Sequence, residues 1–199
     1  MKREDFKHAI ALTGGIATGK STVCDMLRSY GYEIIDADKV AHNMLDLQSD
    51  KIAVLFGDEY VVDGKVNRKK LGSIIFSNDK NRSKLEALLH PLIREEILTQ
   101  SRVYEGKERP YILDIPLYFE SGKYDVDRVV LIYAPRDIQL DRLVNRDNLT
   151  QKESEDRINS QLPIDTKKDK SSFIIDNSKD LAHLKEEVEK FIKEIDANH

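Results

Sequence analysis

The chain has 199 residues, 40% of them hydrophobic and 34% charged, with a formal net charge of −4; it is long enough for one packed domain, alone or carrying an insertion. That acidic balance argues against a general nucleic-acid binder, which needs a lysine and arginine excess, and the one dense basic stretch, GKVNRKK at 64–70, reads as a solvated face. No apolar run reaches membrane-spanning length, the N-terminus has no signal-peptide core, and the single cysteine, Cys24, belongs to no metal-site pattern, so a reduced, cytoplasmic setting is the expectation.

In chain order, HAIALT (8–13) predicts a short buried strand ending at glycine. STVCDMLRSYG (21–31) has apolar residues at helical spacing, with Cys24 as a small buried residue and Gly31 as a stop. YEIIDAD (32–38) predicts a second strand ending in acid. The stretch from about 46 to 107 is helical in pattern with no convincing strand, and reads as an inserted subdomain. PYILDIP (110–116), RVVLIYAP (128–135) and SFIIDNS (172–178) are continuous apolar runs, as in parallel strands covered on both faces. Helical patterns at 136–147, 150–162 and 179–196 separate or follow them. The alternation predicts an α/β doubly wound fold with a five-stranded parallel sheet.

Gly14-Gly15-Ile16-Ala17-Thr18-Gly19-Lys20-Ser21 fits G-x-x-x-x-G-K-[ST] between a predicted strand and a predicted helix. Glycines let backbone N–H groups turn toward phosphates, and the helix adds its N-terminal dipole. Lys20 then reaches the β- and γ-phosphates, its side chain facing the ligand, and the Ser21 hydroxyl is a Mg²⁺ ligand. Thr22 closes the nucleotide-binding run. A dinucleotide fold would need G-x-G-x-x-G and leaves Lys20 unexplained, although Asp38 lies at about the right distance to hold a ribose. None of the nine glycines has an Asp three positions earlier, so a GTPase switch motif is missing. A small-molecule kinase remains, with the helical insertion as holder of the acceptor.

ALTGGIATGKSTV, IIDADKVAH, LLHPLIREEI, YILDIPLYFESG and QLDRLVNRD, with the weaker RINSQLP and FIIDNS, together resemble the dephospho-coenzyme A kinase family in order and spacing. The resemblance implies a P-loop kinase fold and ATP-dependent phosphorylation of the ribose 3′-hydroxyl of dephospho-CoA, with Mg²⁺, in a nucleotide-binding core (1–45 and 108–199), an acceptor subdomain (46–107) and a short lid at about 145–165. It implies no nucleic-acid or membrane partner, and oligomeric state stays open. Ala17 and Thr18 stand where the family usually has glycine and serine; because Ala disfavours positive φ, ordinary backbone angles are expected at position 17.

The resemblance makes Asp38 the candidate base; on its own, Asp38 suits helix N-capping equally. Asp36 fits capping or strand-end hydrogen bonding about as well as chemistry. Asp114 stands where an acid near the Mg²⁺ water shell is expected, or a structural partner of the loop. His90 is a packing residue on its own and an acceptor-side residue by the resemblance. Arg68 matches the family's acceptor-side arginine, with Lys69 and Lys70 solvated. Arg142 and Arg146, at i and i+4 on one helix face, are expected over the transferring phosphoryl group, or else in surface ion pairs. A nucleoside or nucleoside-monophosphate kinase, and a nucleotide-binding regulatory module without turnover, are the alternatives.

Overall fold

A computed structural model describes residues 1–147 and 149–197, the side chains of Arg146 and Asp147 excepted. The chain divides into two compact units: Met1–Ile35 with Ser101–His199, and Asp36–Gln100.

The first unit is built on strand β1 (Ala9–Gly14), every residue of which is buried. Helix α1 (Lys20–Ser29) follows and buries Val23, Cys24 and Leu27 on one face. Strand β2 (Ile34–Asp36) is shorter than the sequence suggests. Helix α2 (Ala37–Leu47) begins at once because the Asp36 carboxylate accepts the Lys39 N–H and caps it. Asp38 therefore does not end the strand; it sits in the first turn of α2.

The second unit continues with α3 (Ser49–Phe56), a hairpin of β3 (Val61–Val62) and β4 (Lys65–Val66), α4 (Arg68–Phe76) and the start of α5 (Asp79–Glu105). The hairpin corrects the expectation of a strandless insertion. Asp63 and Gly64 have φ of 51° and 73°, the double positive-φ turn that Asp-Gly favours in two-residue hairpins. The compact unit also starts and stops earlier than 46–107, since α2 begins directly at the Asp36 cap and the last turns of α5 belong to the first unit. Leu45, Ile52, Val66, Leu71, Ile75 and Leu89 form its core.

Returning to the first unit, the chain adds β5 (Tyr111–Asp114), the short α6 (Tyr118–Ser121), β6 (Arg128–Tyr133), α7 (Arg136–Asp147), α8 (Gln151–Asn159), α9 (Ile164–Lys168), β7 (Phe173–Asp176) and α10 (Leu181–Ala197). The sheet order is β2-β5-β1-β6-β7. β1 pairs in parallel with β5 and with β6, and β6 in parallel with β7. The connection from β1 runs toward β2 and the one from its neighbour β5 runs the other way to β6, so the carboxyl ends of β1 and β5 lie where strand order reverses, the usual place for a ligand in open α/β sheets. Ile10, Leu12, Val23, Leu27, Ile112, Ile132, Val188 and Phe191 belong to the core that α1 and α10 cover.

Asp46 ties the second unit's hairpin to α2: its carboxylate accepts from Val66 N–H at 3.2 Å and from Arg68 Nη2 at 2.7 Å. Burial acts to raise the Asp46 carboxyl, but the Arg68 hydrogen bond, the Val66 N–H and the charges of Arg68 and Lys65 outweigh it and hold it below its ordinary value of 3.8. A depressed folded-state value stabilises the fold above the unfolded value, and that contribution disappears as pH falls through the lower folded value. Acid titration of unfolding is therefore expected to show the parent losing stability below the ordinary carboxylate range. Asp46→Asn should lower stability at neutral pH and flatten the curve over that acid range.

Candidate active site

The phosphate loop leaves β1 at Gly14 and enters α1 at Lys20. Gly19 has φ of 87°, and an added Cβ would collide with the Asn177 side-chain amide, so both backbone angle and space demand glycine there. Ala17 has φ of 59°. This overturns the expectation of ordinary angles at position 17: the loop keeps a left-handed turn and forces alanine into it, at a cost of about 1–2 kcal/mol for a residue with a Cβ. Thr18 is fully buried and closes the turn, with its Oγ1 donating to Gly15 O at 2.9 Å and its N–H at 3.3 Å. The loop, with Pro116 and Gln161, lines a cleft of about 250 Å³. Ser21 and Thr22 are exposed in the first turn of α1, and the N–H groups of Lys20 and Ser21 at its very start come before the first intrahelical bonds and suit an anion.

Lys20 is held from below. Its ammonium donates to both oxygens of Asp114, at 2.6 and 2.7 Å. Asp114 ends β5 and pairs in register with Leu12 of β1, which brings the acid under the loop. Its side chain is 5% exposed and that of Lys20 is 21% exposed, so this is a mostly buried ion pair. The pair makes Asp114 a structural partner of the loop lysine. Cys24 Sγ lies 3.5 Å from Asp114 Oδ2. Burial, and then the neighbouring Asp114 charge, push the Cys24 thiol up to about 12, so it is an inert packing group as the sequence suggests.

Arg142 reaches the loop, although not as a surface ion pair. From α7 it donates to Ala17 O at 3.3 Å and to Asn177 O at 2.8 Å. Asn177 in turn donates from Nδ2 to Thr18 O at 2.8 Å. Gln161 Oε1 accepts the Ile16 N–H at 2.9 Å, and the fully buried Lys167 donates to Gly14 O at 3.0 Å and pairs with Glu120 Oε1 at 2.7 Å. These loop contacts were not singled out in the sequence. Gln161, Asn177 and Glu120 lie inside the segments that carry the family resemblance, so a signal existed. Lys167 stands in a charged run, IDTKKDK, that reads as a solvated face.

Asp38, Arg68 and His90 belong to the second unit. Asp36 takes the capping role, which leaves the exposed Asp38 carboxylate without a hydrogen-bond or ion-pair partner among the described residues. Arg68 is occupied by Asp46 at 2.7 Å. His90 is exposed on α5, directly before Pro91, which the helix accommodates in its interior. The Arg146 side chain lies outside the described residues. Among the described residues no cluster of three or more His, Cys, Asp or Glu could hold a metal ion, and no helix is long and apolar enough to cross a membrane.

The dephospho-CoA kinase family model matches residues 8–183. A dephospho-CoA kinase of Sulfurimonas denitrificans is 47% identical over 194 residues, covering 98% of this chain and 97% of its own. One from Helicobacter pylori strain J99 is 49% identical over 191 residues, covering 94% and 97%. Among solved structures, the dephospho-CoA kinase of Campylobacter jejuni superposes with a TM-score of 0.71 at 33% identity, covering 94% of this chain and 97% of that one.

Two outcomes test this geometry. Ala17→Gly relieves the left-handed strain but loosens the unfolded chain, so denaturant unfolding should show a net gain of up to about 1 kcal/mol. Because Lys20 is paired below the loop, Lys20→Ala leaves Asp114 buried without its cation. It should cost on the order of 3 kcal/mol as well as activity, where a side chain facing only the ligand would leave the fold intact. Adding Asp114→Asn should recover most of the melting temperature and none of the turnover.

Proposed function

The chain belongs to the dephospho-CoA kinase family, and from that premise we propose that it transfers the γ-phosphoryl group of ATP to the ribose 3′-hydroxyl of dephospho-CoA, giving coenzyme A and ADP. One observation carries the reading at the level of geometry. The loop is pre-formed around a phosphate-sized cleft, with its lysine positioned by a buried acid. Phosphoryl transfer depends chiefly on positioning and on fixed positive charge, and these residues supply both.

In this reading the N–H groups of Lys20 and Ser21 at the start of α1, with those of Gly15, Ala17 and Gly19 in the loop, cradle the β- and γ-phosphates. Lys20 bridges from Asp114 to the phosphates. Asp38 takes the hydroxyl proton, which suits an exposed carboxylate whose neighbour Asp36 does the capping. Arg142 uses two of its five donors on Ala17 O and Asn177 O, leaving others for the nucleotide. Arg146 is assigned beside it on the family pattern. Arg68 and His90 serve the acceptor, and the segment at about 145–165 acts as the lid. Gln161 and Leu162 are bound to the loop and to Glu120, so the moving part of that lid ends before them.

Magnesium fits the donors present. Ser21 offers an exposed hydroxyl at the helix start, and Mg²⁺ prefers a few protein oxygens with waters and phosphates to an all-protein cage. Ser21 would hold it, and bound with ATP it would neutralise the charge that develops on the transferring phosphoryl group. A cytoplasmic setting is part of the proposal.

A coupled ADP-release assay offering dephospho-CoA, AMP, CMP and uridine in parallel tests the assignment. Turnover is expected with dephospho-CoA alone, and Asp38→Asn should keep ADP affinity and melting temperature while losing most of that turnover. Phosphorylation of AMP with none of dephospho-CoA would instead make the chain a nucleoside-monophosphate kinase. ADP binding with no turnover on any acceptor would make it a regulatory module.

A further inference from the structure

Lys167 is a lysine with no exposed surface, and burying an ammonium group is costly unless something is gained from it. Its two partners are Glu120 Oε1 at 2.7 Å and Gly14 O at 3.0 Å. Glu120 is itself poorly satisfied: among the described residues its buried Oε2 has no hydrogen-bond partner. A buried ion pair of this kind adds little to stability over apolar side chains of the same volume. Stability alone does not account for the pair.

Its position does. Glu120 Oε1 also accepts the Leu162 N–H at 3.1 Å, anchoring the residue next to Gln161, whose side chain holds the Ile16 N–H at 2.9 Å. Lys167 holds Gly14 O. The two contacts thus grip the loop on either side of Gly15, and the space around Gly15 is tight: an added Cβ would come within 2.9 Å of Gln139 Oε1 and 3.2 Å of Ile164 Cδ1. A trans peptide points its C=O and the following N–H in opposite directions. Fixing the Gly14 carbonyl on Lys167 therefore turns the Gly15 N–H away from the interior.

We propose that Lys167, held by Glu120, is a positioning residue that sets the Gly14–Gly15 peptide so that the Gly15 N–H serves as a phosphate donor. Lys167 touches no nucleotide itself; it acts through the peptide. The inference rests on the loop's binding ATP, as proposed above, and is independent of which acceptor is used.

The test pairs Lys167→Met with the double variant Lys167→Met/Glu120→Gln. The single variant strands a largely buried carboxylate and loses stability for that reason; the double variant removes both charges and keeps an acceptor for Leu162. Titration calorimetry with ADP, the shift in melting temperature on adding ADP, and the KM values for ATP and acceptor are measured on all proteins. The double variant should melt close to the parent. Its ADP affinity should fall about tenfold, the value of one well-oriented hydrogen bond to a charged group, with a parallel rise in KM for ATP and an acceptor KM within about twofold of the parent. A double variant that binds ADP within about twofold of the parent overturns the proposal, as does one that loses stability while its ADP-induced melting shift is unchanged. If the parent itself fails to bind ADP, it is the kinase reading that falls.

Discussion

A loop that binds phosphate through its backbone has to keep its carbonyl oxygens off the anion, and here that constraint is met by side chains reaching in from elsewhere in the chain. Lys167 holds the carbonyl of Gly14, Arg142 that of Ala17 and Asn177 that of Thr18. All three come from the second half of the sequence, from α9, α7 and the end of β7. The loop at 14–19 is thus finished by residues more than a hundred positions away, which the parallel sheet delivers by setting β6 beside β1 and β7 beside β6. With the carbonyls taken up, alanine can be held at a left-handed position that would otherwise favour glycine.

The same sheet order explains the electrostatics. Strand β5 lies on the other flank of β1, and the register of Leu12 against Asp114 puts an acid at the strand end beside the loop. Asp114 then compensates the charge of Lys20 in a mostly buried setting and adds to the burial that raises the Cys24 thiol out of reactive range. One carboxylate therefore points the loop cation and also bears on the neighbouring thiol. An arriving triphosphate meets a lysine whose direction is already set, which lowers the ordering cost of binding.

In the second unit, organisation rests on two short polar devices. Asp36 ends β2 and starts α2 in a single hydrogen bond, and Asp46 joins α2 to the hairpin and to Arg68. The difference between Asp36 and Asp38 follows directly, because one carboxylate caps the helix and the other is left exposed.

The sequence by itself determined the α/β class, the five strands of the sheet, the phosphate loop with Lys20 and Ser21, and the family. These are local signals: apolar runs of strand length, a glycine pattern between strand and helix, and motifs in a fixed order. It also held the Asp63-Gly64 hairpin turn, which a helical reading of the insertion passed over because strands of two residues carry almost no periodicity. Only the tertiary structure decided that Ala17 takes a positive φ, since the contacts that hold it there come from Arg142 and Asn177. The same holds for the pairing of Lys20 with Asp114 and for Lys167, whose charged surroundings in sequence look like solvent-facing surface. Burial and pairing are properties of what the fold brings alongside a residue, and neighbours across a parallel sheet leave no mark in the residues next door.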